Sequence, residues 1–376
     1  MKTLFRSLPL LFLLTIVTSA QIKVTITARV DSLNPSESVY IAGNLAQIGE
    51  WNPAKAKLVE VKPGLWSISF EMEKPGDLEF KFTKGSWSQE AANPDGTTPG
   101  NHIAKVVSDT LLTYDICCWS KYKSASFKGQ ITGNVEYIRG VGAGDILPRD
   151  IIILLPDGYK NSNERYPVLY MHDGQNIFDP STVGFGVDWQ VDEAIDSLTR
   201  QGKVQKMIIV GIYNSKNRRD EYSNCPLGNE YMKFVVNNVK PMIDSLYRTK
   251  PGREFTSTAG SSMGGLISFM LLWEYNDVFS KAGSFSPALK IDRFDYVSTV
   301  KSTGNKKRNF KLYIDNGGLG LEARLQPGID EMIALLKELG YREGTDFITV
   351  FDPNAEHNES AWAKRIPNFL IKMFGN

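Results

Sequence analysis

Phe255-Thr256-Ser257-Thr258-Ala259-Gly260-Ser261-Ser262-Met263-Gly264-Gly265-Leu266 is the stretch on which the fold turns. Residues 255–259 read as a strand, and Leu266, Phe269, Met270, Leu271 and Leu272 supply a buried helix beyond it. Between the two, Gly260-Ser261-Ser262-Met263-Gly264 fits the pattern G-x-S-x-G. Small residues flank such a serine because a sharp strand-to-helix turn brings neighbouring backbones close. That turn lifts Ser262 to the C-terminal edge of a sheet, with a helix N-terminus beneath it.

Working outward, Pro167-Val168-Leu169-Tyr170-Met171 and Met207-Ile208-Ile209-Val210-Gly211 are continuous apolar runs, as strands buried on both faces require. Val191, Ala194, Ile195 and Leu198 share one helical face between them. Helical patterns follow at 231–246 and at Ile329, Met332, Ile333 and Leu336, with strand-like runs at 310–314 and 347–351. This alternation over residues 131–376 predicts an α/β domain with a mostly parallel sheet.

A serine hydroxyl is a weak nucleophile until a base takes its proton. The chain has three histidines: His102, His172 and His357. His102 lies in a β-rich region, and His172 directly follows a core strand, a structural position. His357, in Ala355-Glu356-His357-Asn358-Glu359, follows the last strand-like run, where a loop can return over the sheet edge. It is the expected general base and acid. The carboxylate that orients it should lie between Ser262 and His357 in sequence. Asp315 ends a strand and Glu322 sits on the loop beyond, and the local pattern does not choose between them. A tetrahedral intermediate also needs two N–H donors. Met263 supplies one, and the loop His172-Asp173-Gly174-Gln175-Asn176 supplies the other, with Gly174 allowing the bend that turns the Gln175 N–H inward. Gly318-Leu319-Gly320-Leu321-Glu322-Ala323 imitates a dinucleotide fingerprint, but Pro327-Gly328 should interrupt the helix that motif requires.

The first part of the chain has a different rhythm. Ile22, Val24, Ile26, Ala28 and Val30 alternate with polar residues, as do Trp66-Ile68-Phe70-Met72 and Leu78-Phe80-Phe82. Turn clusters separate these runs, so residues 21–118 read as a small all-β sandwich, and 119–130 as a linker. Lys2 and Arg6, the apolar run 8–17 and Thr18-Ser19-Ala20 have the layout of a cleaved signal peptide over residues 1–20, implying a secreted or periplasmic protein. Without Lys2 and Arg6 the balance is 41 basic to 42 acidic residues, which leaves no electrostatic footprint for nucleic acid. No apolar run in the body of the chain is long enough to span a membrane. No Cys/His cluster has metal-ligand spacing, so neither metal nor cofactor is expected. Cys117, Cys118 and Cys225 are either free or include one bridge.

Three motifs together resemble the family known as "Putative esterase": Tyr170-Met171-His172-Asp173-Gly174-Gln175-Asn176, the turn around Ser262, and Glu356-His357-Asn358-Glu359-Ser360-Ala361-Trp362. That family includes feruloyl and acetyl-xylan esterases, enterobactin-type siderophore esterases, S-formylglutathione hydrolase and mycolyltransferases. The resemblance covers about residues 130–376 and implies an α/β-hydrolase domain. It favours Glu322 as the acid, gives Gln175 the second oxyanion donor, and places Asp173 and Gly174 against substrate. Residues 21–118 resemble a starch-binding type of carbohydrate-binding module. Gly43-Asn44-Leu45, Ile48-Gly49-Glu50-Trp51-Asn52-Pro53 and Glu79-Phe80-Lys81-Phe82 carry that likeness. It implies a sugar platform of Trp66, Lys81 and Trp87, with Asn101 beside it; Trp51 is expected to plug the sandwich core. Ser88 and His102 depart from the module's usual Glu and Arg.

The expectation is therefore a secreted serine esterase acting through an acyl-enzyme on acetyl or feruloyl esters of polysaccharide, with a glycan as possible partner of the first domain. A siderophore esterase and a catalytically silent glycan-binding protein are the alternatives.

Overall fold

The computed structural model describes residues 21–376 except 32, 87–88, 94–98, 100, 120–130, 184–186 and 305–306. The expected signal peptide, Trp87 and nearly all of the expected linker thus lie outside the described residues. The chain divides into two compact units, Met1–Lys121 and Tyr122–Asn376.

Period-two alternation builds the first unit. Its strands are β1 (Ile22–Val30), β2 (Tyr40–Gly43), β3 (Ala56–Lys57), β4 (Val59–Lys62), β5 (Leu65–Met72), β6 (Gly76–Thr83), β7 (Ala91–Ala92), β8 (His102–Val106), β9 (Thr110–Ile116) and β10 (Cys118–Trp119). They form sheets in the orders β4-β5-β1-β9 and β3-β2-β6-β8, with β10 and β7 as a separate pair. Inward residues of both four-stranded sheets, among them Val24, Ile26, Ile41, Leu78, Phe80 and Phe82, make one core. Trp66 belongs to that core at 8 % exposure, whereas Trp51 is only half-buried. The reason is local: Gly49, Glu50 and Trp51 all have positive φ, forming a tight turn outside the strand alternation.

In the second unit the strands are β11 (Asn134–Ala143), β12 (Ile146–Leu155), β13 (Val168–His172), β14 (Ile208–Ile212), β15 (Thr256–Ser261), β16 (Lys281–Phe285), the short pair β17 (Lys290–Ile291) and β18 (Phe294–Asp295), β19 (Lys311–Gly317) and β20 (Phe347–Asp352). The helices are α1 (Val191–Arg200), α2 (Arg218–Glu221), α3 (Pro226–Phe234), α4 (Lys240–Leu246), α5 (Met263–Glu274), α6 (Tyr296–Thr303), α7 (Leu321–Glu338) and α8 (Glu359–Phe374). The eight-stranded sheet has the order β11-β12-β14-β13-β15-β16-β19-β20. It is parallel from β14 to β20, while β11 and β12 pair antiparallel at one edge. Two apolar clusters cover its faces, one built with α5 and α7 and the other with α1 and α8. Among the described residues no helix is long and apolar enough to cross a membrane.

One sequence expectation is corrected here. Pro327 does not end a helix: α7 runs through it. The buried face of α7, with Leu325, Ile329, Met332 and Leu336, holds the helix through the proline, and Gly328 allows close approach, since a Cβ there would lie 2.5 Å from the Lys290 carbonyl oxygen. The Pro-Gly pair lets α7 pack against β17 with one backbone hydrogen bond fewer.

Two stability predictions follow from this packing. Trp66→Ala should destabilise the first unit by about 3–5 kcal/mol in chemical denaturation, as a large-to-small core change. Trp51→Ala should cost clearly less; the reverse ranking would contradict the placement. The second concerns His172, which is fully enclosed at the end of β13 with Tyr231 Oη 2.9 Å from Nδ1 and Thr258 Oγ1 3.2 Å from Nε2. Burial pushes this imidazole down to about 3, with Asp173 opposing and Arg218 and Arg149 adding to the effect. The unfolded chain takes up the proton near pH ~6.5, so stability falls as pH drops below that value toward the folded pKa. The loss should reach about 2 kcal/mol by pH 5. Urea unfolding at pH 7 and pH 5 should show a smaller drop in His172→Gln than in the parent; equal drops would contradict a neutral buried His172.

Candidate active site

Ser262 stands between β15 and α5 with φ 56° and ψ −119°, a conformation that side chains rarely adopt. Its neighbours show why glycine is required around it. A Cβ on Gly260 would lie 2.7 Å from the Gly264 carbonyl carbon, and one on Gly265 would lie 2.9 Å from the Phe285 carbonyl oxygen. The elbow is clamped to the next strand: Ser262 N–H donates to Phe285 O at 2.9 Å, and Ala288 N–H donates to Ser262 O at 3.1 Å. Met263 is the first residue of α5, so its N–H belongs to the set that a helix start leaves without intrahelical partners.

Parallel strands order the remaining groups along the same sheet edge. β16 and β19 separate β15 from β20, and Glu322 and His357 follow β19 and β20. Glu322 occupies the first turn of α7, not the loop expected from the sequence. Its Oε1 lies 3.6 Å from His357 Nδ1, with the acid fully buried and His357 14 % exposed. The edge of the His357 ring meets Trp362 with centroids 5.0 Å apart. Asn358 caps α8 by accepting from Ala361 N–H at 3.0 Å, which fixes the chain immediately after the histidine.

The two candidate acids differ in what they face. Asp315 Oδ1 accepts from Ser286 N–H at 3.2 Å, and its Oδ2 lies 3.2 Å from Arg365 Nε. Burial pushes Asp315 up to about 7, opposed by Arg365 and reinforced by Glu322. Burial also works against charge on Glu322, but His357, Ser286 and Arg365 outweigh it and hold this carboxyl below its ordinary range. Glu322 is thus the ionised acid facing the histidine, and Asp315 faces the arginine.

The loop after β13 reaches the same place. Asp173 has φ 58° and precedes the short helical turn Gly174–Asn176 that carries Gln175. Gly174 permits this because a Cβ there would lie 2.4 Å from the Gly211 backbone. Asn176 Nδ2 donates to Glu359 Oε1 at 3.2 Å, tying the loop to the start of α8 beside His357. The Asp173 Oδ2 would lie 3.1 Å from a Cβ on Gly264, so the loop abuts the elbow. Asp173 was expected against substrate, but its carboxylate is engaged by Arg218 at 2.6 and 2.7 Å and by Asn214 Nδ2 at 2.6 Å. These contacts hold the loop in place. Arg218 sits on α2, which is anchored by the buried pair of Glu221 with Arg149 at 2.7 and 2.8 Å. Gly174 likewise serves backbone packing. Sequence reasoning missed Asn214, Arg218, Ser286 and Arg365; none lies in a motif.

Of the expected sugar platform, Trp87 lies outside the described residues. Trp66 is core and offers no open face. Lys81 Nζ lies 3.0 Å from the buried Glu90, and Asn101 Nδ2 donates to Glu79 Oε1 at 2.7 Å. Trp51 follows directly on the turn beside β2, where its N–H donates to Gly43 O at 2.9 Å and the neighbouring Ala42 pairs with Lys81. Its side chain is half-buried there, as is that of Trp119, which pairs with Ala91. The three cysteines are free thiols. Asp188, Asp192 and Glu193 converge within 4.8 Å at the start of α1. Burial first, and then Glu193, pushes Asp192 up to about 8, so a retained proton relieves the repulsion there.

Comparison with known proteins places this geometry. Residues 147–373 match the family model described as "Putative esterase", and residues 21–101 match the one described as "Starch binding domain". An endo-1,4-beta-xylanase/feruloyl esterase of Xylanibacter ruminicola is 28 % identical over 142 residues, which is 36 % of this chain and 19 % of that protein. A solved ferulic acid esterase superposes with a TM-score of 0.53 at 20 % identity, covering 65 % of this chain and 98 % of its own. The enterobactin esterase of Shigella flexneri gives a TM-score of 0.53 at 13 % identity and covers 93 % of this chain and 92 % of its own. Both superpositions show a shared fold. With the family match spanning more than half of the sequence and containing the elbow, the acid and the histidine, the chain belongs to this esterase family.

Proposed function

We propose that this chain is an exported serine esterase that cleaves acetyl or feruloyl esters carried on polysaccharide. The observation that carries the reading is the buried Glu322–His357 pair on the same sheet edge as the strained Ser262. Ser262 Oγ attacks the ester carbonyl while His357 takes its proton, and the C–O bond to the alcohol breaks as His357 returns that proton to the leaving oxygen. Met263 and Gln175 N–H groups face the oxyanion. Water, deprotonated by His357, then releases the acid from the acyl-enzyme. Glu322 holds the imidazole in the tautomer that serves both steps. Export rests on residues 1–20, and the polysaccharide on the starch-binding match and on the relative named as a xylanase/feruloyl esterase. The enterobactin esterase, whose likeness extends over 93 % of this chain, supports siderophore esters as the second reading.

Turnover of acetyl, feruloyl and siderophore esters on one panel separates these substrates, and no turnover on any would leave a silent glycan-binding protein. On the best substrate, Ser262→Ala should lower kcat by several powers of ten. Glu322→Gln should lower it by roughly 10⁴, and Asp315→Asn far less. A larger loss in Asp315→Asn would reverse the assignment of the acid. For the first unit, Trp51→Ala should reduce retention of the full chain on soluble α-glucan or xylan while leaving esterase activity on aryl acetates intact. Unchanged retention, or none in the parent, would remove the glycan role of this turn.

A further inference from the structure

Ser286 is the residue after β16, wholly buried, with φ 43°. A side chain in that backbone region is strained, and glycine would avoid the strain. What the serine gains is a hydroxyl with every bonding position in use. Its O–H donates to Glu322 Oε1 at 2.6 Å. Its oxygen accepts from Trp362 Nε1 and from Arg365 Nη2, each at 3.0 Å. One donor and two acceptor sites are all that a hydroxyl has. Its backbone N–H meanwhile donates to Asp315 O at 2.9 Å. The preceding Phe285 accepts from Ser262 N–H, and Ala288 just beyond donates to Ser262 O. One short turn therefore touches the elbow on one side and the acid on the other.

We infer that Ser286 is a positioning residue of the esterase reaction: its hydroxyl orients the Glu322 carboxylate toward His357, and its turn sets that carboxylate in register with Ser262. The inference rests on the serine-esterase reading above. Trp362 is the second link, since the same indole that donates to Ser286 packs against the His357 ring. Arg365 is the third, lying 3.6 Å from Glu322 Oε1 and 3.2 Å from Asp315 Oδ2, so it holds the two acids apart in their separate roles. Ser286 touches neither substrate nor the reacting atoms and acts only through Glu322.

Ser286→Gly tests this, because glycine accepts φ 43° and removes only the hydroxymethyl group. In the full chain, with an aryl acetate as substrate, kcat should fall roughly 10- to 100-fold, the worth of a hydrogen bond to a charged group, while KM stays near the parent value. The melting temperature should show that the variant folds, and Ser286→Ala should give a similar kcat if it folds as well. In a Glu322→Gln background the same change should cost almost nothing, since both substitutions then break one unit. A parent-level kcat in Ser286→Gly, a loss confined to KM, or equal losses with and without Glu322 would overturn the positioning role while leaving the esterase reading intact. Absence of ester turnover in the parent protein would overturn both.

Discussion

The backbone at Ser262 is the constraint around which the second unit is arranged. A non-glycine residue at φ 56° and ψ −119° persists only where its surroundings over-determine it. Here they do so from three sides. Gly260 and Gly265 leave no room for side chains, Phe285 of β16 and Ala288 just beyond it clamp the peptide on both sides of Ser262, and the apolar side chains of α5 pull the chain into the core. The strain places a hydroxyl at the edge of a sheet whose strands run parallel from β14 to β20, so their C-terminal ends lie along that one edge. Everything else that the chemistry uses is supplied from the ends of those same strands.

Charge at this edge is distributed by burial and pairing. Two acids, Asp315 and Glu322, lie near one guanidinium, and they cannot be equivalent. Glu322 is held ionised by its histidine, its serine and Arg365, while complete burial, reinforced by the nearby Glu322 charge, pushes Asp315 up to about 7 in spite of Arg365. The separation leaves one negative charge facing His357, which suits the transiently cationic imidazole of the proposed mechanism. On the opposite side, Arg218 neutralises Asp173 and Asn214 donates to it, which holds the Gln175 loop against the elbow without adding a competing charge.

The elbow was readable from sequence because steric demand writes itself into adjacent residues: glycine at 260 and 265 cannot be replaced without collision, and at 264 a Cβ would press on Asp173. The parallel strands were readable because burial on both faces leaves unbroken apolar runs such as 207–211. The antiparallel β11–β12 edge was not identified, since β11 is half-exposed and its pattern is weak. Ser286 and Arg365 were invisible because they are common residue types brought to Glu322 by tertiary packing alone. Pro327 misled, because the rule against helix-interior proline weighs one lost hydrogen bond and takes no account of the buried side chains, such as Leu325 and Ile329, that hold α7 on both sides of it. Trp66 was assigned to a platform by resemblance although its own strand alternation buried it. Trp51 was assigned to the core although three successive positive φ values carry its turn outward. In both tryptophans the local physics was the better guide.

The two units differ in how much their residues declare. The first unit's role depends on a half-exposed ring and on positions outside the described residues, whereas the second unit's chemistry rests on named contacts. The most direct test of the central claim is intact-mass analysis of the purified chain after incubation with an aryl fluorophosphonate. Attack by Ser262 Oγ on phosphorus with loss of fluoride should add a single phosphonyl group, mapped to Ser262 and absent in Ser262→Ala. A folded, ester-hydrolysing protein that remains unlabelled, or that is labelled at another residue, would contradict the account.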